Sequence, residues 1–438
     1  MEHWLKLPRS TPWLELLKPA PDAQGCGFAT GQTCDNAQQV HLMPSRNVLV
    51  EPHEAIPSPA RSVAWSLALL ACGHFFVDLY SGALGALQPL LVQRFRFTLT
   101  DAGILGGVLV TSSSVMQPVY GYLSDRFHTR LFAALGPAVA AVFISALGLA
   151  PGYGWLLAMV ALGGAGVAAF HPQASARAAI GVRERRGGAM AAFISAGTLG
   201  YAAGPTYFSL VASRLGLAKT FWAAIPGLAV TSLLLRVLPH ATVSAPKAQA
   251  QSPWRPLLAV WKPMALLYLL VFIRSIVQVT FAQLIPLYLY LERGYSPVKA
   301  AYTLSLYLTC GAVGGFLGGN LSDRFGGRLV ILISMIGCVP FLALFFFTQG
   351  WLSILGLLAG GLILLFTVPV NVVMAQELAP AQAGTVSALM MGFAWGTAGL
   401  LFIPLTGRMA DLFSLQHAMA ALTLFPILGF LLALRLPK

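Results

Sequence analysis

From Val63 to the C-terminus, apolar stretches of roughly 20 to 28 residues alternate with short polar breaks, and about 20 residues of helix cross the hydrocarbon of a bilayer. Lipid offers backbone N–H and C=O groups no partner, so such stretches are stable there only as helices that satisfy their own hydrogen bonds. The pattern predicts spans near 63–92, 100–122, 131–150, 154–177, 188–213 and 219–238, then 263–290, 297–320, 329–348, 351–374, 383–406 and 415–436. A Pro, Ala and Gln rich connector, HATVSAPKAQAQSPWRP, separates the two sets of six. The expected fold is an all-α membrane protein of twelve transmembrane helices in two six-helix bundles, 61–238 and 263–438, joined by a linker at 239–262.

Composition excludes the soluble alternative. Only 9% of residues are charged, 57% are hydrophobic and the mean hydropathy is +0.75, whereas a soluble domain has about 25% charged residues. The net charge of +13 does not imply nucleic acid, because Lys and Arg occur in small groups between apolar runs. That distribution is the signature of membrane topology. With an even number of spans, one end of the bundle carries 14 Lys and Arg and the other 7, namely Arg94, Arg96, Arg214, Lys219, Arg293, Lys299 and Arg408. The bias puts both termini in the cytoplasm. Residues 1–60 hold eight prolines and no sustained period, and are expected to form a disordered cytoplasmic extension. MEHWLKL lacks the apolar run of a secretory signal, and Met43 is an alternative start. Cys72, Cys310 and Cys338 lie in apolar runs, while Cys26 and Cys34 show neither zinc spacing nor a disulfide framework.

The two halves share a repeat. GYLSDRFHTR, from Gly121 to Arg130, aligns without a gap to GNLSDRFGGR, from Gly319 to Arg328, with seven of ten residues identical at a shift of 198. Each copy joins the second and third spans of its half. Parallel repeats of this kind build transporters that hold substrate between the halves near the midplane. The repeated motif resembles the signature loop of the major facilitator superfamily. The resemblance implies a conformational latch formed by Gly121, Asp125, Arg126 and Arg130 with Gly319, Asp323, Arg324 and Arg328. Glu377, in AQELAP, is placed to meet Arg324 or Arg328 of that latch.

GHFFVDLY, SSSVMQPVYGYLSDR, AGVAAFHPQAS and AQELAPAQAGTVSALMMGFAWGTAGL further resemble the fosmidomycin resistance protein group of efflux carriers, from about His74 to the C-terminus. That resemblance implies proton-driven export of small anionic or amphiphilic compounds from a bacterial inner membrane. Two departures stand out. Gln173 follows His-Pro where the group often has an acid, and Gly200, Gly204 and Pro205 match only part of the antiporter motif of drug exporters.

Ionisable groups are costly inside a membrane and usually line a functional path. Asp78 is the carboxylate deep in the first span, with His74 four residues earlier on the same helical face. A carboxylate beside an imidazole can exchange a proton near neutral pH, and the competing reading is a static brace. Arg274, mid-span in the seventh helix, needs an anion, either Asp78 or an anionic substrate. Competition between those two anions would couple substrate binding to protonation. His171 and Gln173 join the proposed substrate or proton pathway, with Pro172 as a bend.

An enzyme would need a converging nucleophile or metal constellation, and the eight histidines read as too dispersed for a metal site. A non-transporting sensor or scaffold would not need Asp78 and Arg274 at mid-span. Uptake of an organic anion remains the alternative to export. The expected partners are a small-molecule substrate, protons and lipid, with no nucleic acid, no metal and no cofactor beyond the proton gradient, and the chain is expected to act as a monomer.

Overall fold

Long helices account for almost all of the computed structural model, which describes residues 59–127, 129–178, 186–238 and 258–437. The N-terminal extension as far as residue 58, including Met43, Cys26 and Cys34, and the linker at 239–257 lie outside the described residues, as does the side chain of Asp125.

Six helices precede the linker. They are α1 (Ala64–Phe95), α2 (Leu99–Ser124), α3 (Leu131–Leu149), α4 (Tyr153–Ala178), α5 (Arg186–Leu215) and α6 (Leu217–Val237). Six follow: α7 (Trp261–Leu291), α8 (Pro297–Phe325), α9 (Gly327–Phe347), α10 (Gly350–Leu378), α11 (Ala383–Leu412) and α12 (Leu415–Ala433). Eleven of these are long and apolar enough to cross a membrane. The remaining one, α5, spans 30 residues and is diluted in hydropathy by its glycines and small polar residues. At about 1.5 Å per residue it is still long enough to cross.

Local sequence sets the helix ends. Thr98 and Asp101 form a reciprocal cap at the start of α2, and Ser296, followed by Pro297, caps α8. Gly326, at φ 86°, ends α8 with a left-handed residue that a side chain would disfavour. The helix therefore runs through GNLSDRF as far as Phe325, beyond the boundary near 320 that hydropathy predicts.

One buried apolar cluster is drawn from residues 70–238 alone and another from 264–436, so each half has its own core. A third cluster is centred on α7 and takes Ala102, Val110 and Ala202 from the first half. The seam between halves is tight at the end opposite the SDRF segments. There Gly103 of α2 lies so close to α11 that a Cβ would stand 2.6 Å from the Ile403 carbonyl oxygen. Asp411 of α11 caps the N-terminus of α2 across the seam, accepting from Leu99 N at 2.9 Å, Thr100 N at 2.8 Å and Thr100 Oγ1 at 2.5 Å. Thr206 Oγ1 of α5 meets Ser305 Oγ of α8 at 2.8 Å.

Both seam helices contain a π-helical turn, Thr111–Val115 in α2 and Ala388–Phe393 in α11. Such turns kink helices and recur at functional sites. On the SDRF side of the first of them, Met116, Val119 and Tyr122 are exposed.

The SDRF segments are tied within their own halves. Arg130 donates to the carbonyl of Leu238, just beyond the end of α6, and Arg328 Nη2 donates to the carbonyl of Leu434, just beyond α12, at 3.0 Å. Gly121 and Gly319 each face a proline, Pro172 of α4 and Pro369 of α10. Arg126, at the end of the helix that continues α2, lies near the Tyr122 hydroxyl at 3.5 Å. Asp323, Arg324 and Glu377 are exposed. The expected meeting of Glu377 with Arg324 or Arg328 is not formed: no ion pair within 4.0 Å joins these described residues.

Candidate functional site

Asp78 lies between two imidazoles. His74 Nε2 is 3.3 Å from Asp78 Oδ2, one helical turn away on α1, and His171 Nε2 reaches Asp78 Oδ1 at 3.3 Å from α4. The two Nε2 atoms are 3.2 Å apart. The rings are held by their other nitrogens. His74 Nδ1 donates to the carbonyl of Phe193 on α5 at 2.7 Å, and His171 Nδ1 donates to the carbonyl of Val167 at 2.8 Å. The Phe193 ring also stacks on His74, with centroids 4.2 Å apart.

A carbonyl only accepts, so both Nδ1 atoms carry the hydrogen and both Nε2 atoms are left to face the carboxylate and each other. With both rings neutral and Asp78 ionised, three acceptors would crowd together with no hydrogen between them. The arrangement is therefore suited to a positive charge held among the two Nε2 atoms and the carboxylate. The side chains of Asp78 and His171 retain 18% and 23% of their exposure, against 8% for His74, so the group is reachable by solvent.

α5 closes the group from the side. A Cβ on Gly197 would lie 2.6 Å from Asp78 Oδ2 and against His74, so only glycine lets α5 pass here. Gly200 and Gly204 meet the carbonyls of Phe75 and Leu79 on α1, with Pro205 following in the same helix. These residues hold α5 on α1.

Arg274 does not pair with Asp78. It is buried on α7, donates to Gln278 Oε1 one turn away, and leaves its Nε without a protein partner. The hydroxyl of buried Tyr307 on α8 and the amide of buried Asn371 on α10 are also without partners. Tyr201 and Trp395 rings, 6.5 Å apart, bridge the halves.

Gln173 departs from the pathway role that the sequence suggested. Its Oε1 accepts from Ala133 N at 2.7 Å, at the start of α3, and its Nε2 donates to Ser124 Oγ at 2.6 Å and to the Thr129 carbonyl. Its bonds go to the first SDRF segment and to the start of α3. The reading of the histidines as too dispersed for a metal site is also corrected, since His74 and His171 converge on one carboxylate. Sequence reading missed Phe193, Gly197, Tyr201 and Asp411. Of these only Gly197 had a visible signal, the glycine spacing of GTLGYAAGP.

Comparison with known proteins gives this architecture its family. Residues 70–402 match the sequence profile of the Major Facilitator Superfamily. The chain belongs to this superfamily. Within it, the chain is similar to the fosmidomycin resistance protein of Escherichia coli (strain K12), 28% identical over 384 residues that cover 86% of this chain and 94% of that one. It is 30% identical over 394 residues to the uncharacterized MFS-type transporter YfnC of Bacillus subtilis (strain 168), covering 88% and 96%. Superfamily structures share the fold. A mutant of the nucleoside transporter NupG has a TM-score of 0.72 at 14% identity, covering 86% of this chain and all of that one (100%). A bacterial homolog of the human lysosomal transporter Spinster, in an inward-facing and unoccupied conformation, has a TM-score of 0.70 at 17% identity, covering 86% and 96%. As a superfamily member, the chain is a multi-pass membrane protein of the secondary transporter class rather than an enzyme class.

Proposed function

We propose that this transporter exports small anionic or amphiphilic molecules across a bacterial inner membrane in exchange for protons, by alternating access. The observation that carries the reading is the geometry at Asp78. Two rings with fixed tautomers surround one carboxylate and can share a proton with it, at a place solvent can reach. Loading or releasing that proton changes the charge of a site where α1, α4 and α5 meet, and the electrostatic cost of that change inside a membrane is large enough to bias which face is open.

Arg274 supplies the complementary half. A buried guanidinium with a neutral partner attracts the anionic end of a substrate. Tyr307 and Asn371 offer unengaged polar atoms beside α7 for its neutral groups. The seam closed by Asp411 and open toward the SDRF segments is then the inward-facing state, with both termini in the cytoplasm. Export is favoured over uptake by the fosmidomycin resistance protein among the relatives.

The test is overexpression in a susceptible host challenged with toxic compounds, fosmidomycin included, with wild type and Asp78→Asn compared at equal membrane abundance. Resistance that disappears in the variant is the expected result. Heightened sensitivity from the wild type would reverse the direction to uptake, and resistance that survives Asp78→Asn would remove the carboxylate from the mechanism.

A further inference from the structure

We propose that His74, Asp78 and His171 form a binding site for a divalent transition-metal ion of the zinc type. The proposal uses the residues of the export reading but does not depend on transport.

Ligand chemistry comes first. Two imidazoles and one carboxylate favour zinc and its first-row neighbours, whereas magnesium and calcium prefer all-oxygen shells. Geometry narrows the choice. The facing atoms are separated by 3.2 Å between the Nε2 atoms and by 3.3 Å from each Nε2 to its nearer carboxylate oxygen. Ligands about 2.0–2.1 Å from a tetrahedral centre stand about 3.3–3.4 Å apart, while neighbouring ligands of an octahedral ion at the same range stand about 2.9 Å apart. The separation of the two Nε2 atoms is closer to the tetrahedral edge, and one ligand atom from each of the three residues lies within 4.8 Å of the others. The carboxylate turns one oxygen to each ring, leaving the approach side to water.

The outer contacts are those a metal site uses. A ligating histidine nearly always donates its other ring nitrogen to a carbonyl or carboxylate, which fixes the ring and directs the lone pair of the free nitrogen at the metal. Both rings here do so, through Phe193 and Val167. Two separate helices thus aim two lone pairs at one carboxylate, and the packing of Gly197 and Phe193 preorganises them before any ion arrives. An ion bound there occupies the space that shared protons otherwise fill.

The full-length protein, purified in detergent and stripped with EDTA, is titrated with zinc chloride by calorimetry at pH 7.5. The expected result is micromolar binding that weakens by about tenfold or more in both Asp78→Asn and His171→Gln. Cobalt chloride provides a second readout that does not depend on variant stability: an intense visible band marks a four-coordinate site in the wild type, and a faint band marks a six-coordinate one. Zinc that fails to bind the wild type, zinc affinity unchanged in both variants, or a six-coordinate cobalt spectrum would each overturn the site. Because binding is read without transport, loss of zinc binding leaves the export reading intact, and a transport-dead chain that still binds zinc leaves the site intact.

Discussion

His74 and His171, 97 residues apart in the chain, meet through their Nε2 atoms at 3.2 Å with Asp78 beside both. Because each ring is tied by Nδ1 to a carbonyl, neither can turn to relieve the contact. His171→Asn, which leaves the carboxylate with His74 alone, is expected to slow substrate-driven proton movement in proteoliposomes by tenfold or more while the protein stays folded. Proton flux at the wild-type rate would mean that the pair acts only as a brace.

Arg274 is buried with a neutral bonding partner, so its charge is available to an anion. Arg274→Gln is expected to weaken binding of an anionic substrate by at least tenfold, about 1.4 kcal/mol or more. A neutral analogue should lose far less. Equal losses for both ligands in a binding titration would show that Arg274 supports the fold rather than the substrate.

Asp411 offers a test of the seam. Its carboxylate accepts three hydrogen bonds from Leu99 and Thr100 across the halves, and removing a charged acceptor of this kind costs about 1.5–3 kcal/mol. Asp411→Ala is expected to shift the population toward the state open at that end. Thr206 and Ser305, whose hydroxyls are 2.8 Å apart, can be replaced by cysteines to report the change as a lower disulfide yield.

Two glycines should respond in opposite ways. A methyl at Gly200 would run into the backbone carbonyl of Phe75, which cannot step aside, whereas one at Gly121 would meet Pro172 Cβ at an ordinary 3.5 Å. Gly200→Ala is expected to destabilise by about 1–3 kcal/mol, as overpacking does. Gly121→Ala should leave the melting temperature within a degree or two in the state described.

Gln173 stands where the carriers that the chain resembles often have an acid, and the sequence placed it in the substrate or proton pathway. The structure changes the meaning of that residue. Its amide braces Ala133, Ser124 and Thr129, so an acid placed there would face the SDRF segment and not the histidines. Gln173→Leu, which strips a buried N–H of its acceptor, is expected to cost about 1–3 kcal/mol by thermal unfolding.

The helices were legible because hydrocarbon imposes one simple demand on sequence, and Asp78 and Arg274 stood out because charge is rare at that depth. The last turns of α8 were less legible. Polar Asn320, Ser322 and Asp323 end the hydropathy signal, but the backbone has no reason to stop before Gly326. The union of His74 with His171 was hidden for a different reason. Periodicity within one helix says which face a residue occupies, not which distant helix that face will touch. The same limit concealed the cap that Asp411 places on α2 and made Asp78 and Arg274 look like natural partners, when the former is engaged by α4 and the latter by its own helix.

Arg130 and Arg328 each reach back to the final helix of the half that contains them. Each arginine thereby fastens the start of its third helix to the exit of its sixth, and each half becomes a closed girdle. Rocking of one half against the other can then proceed without loosening either girdle.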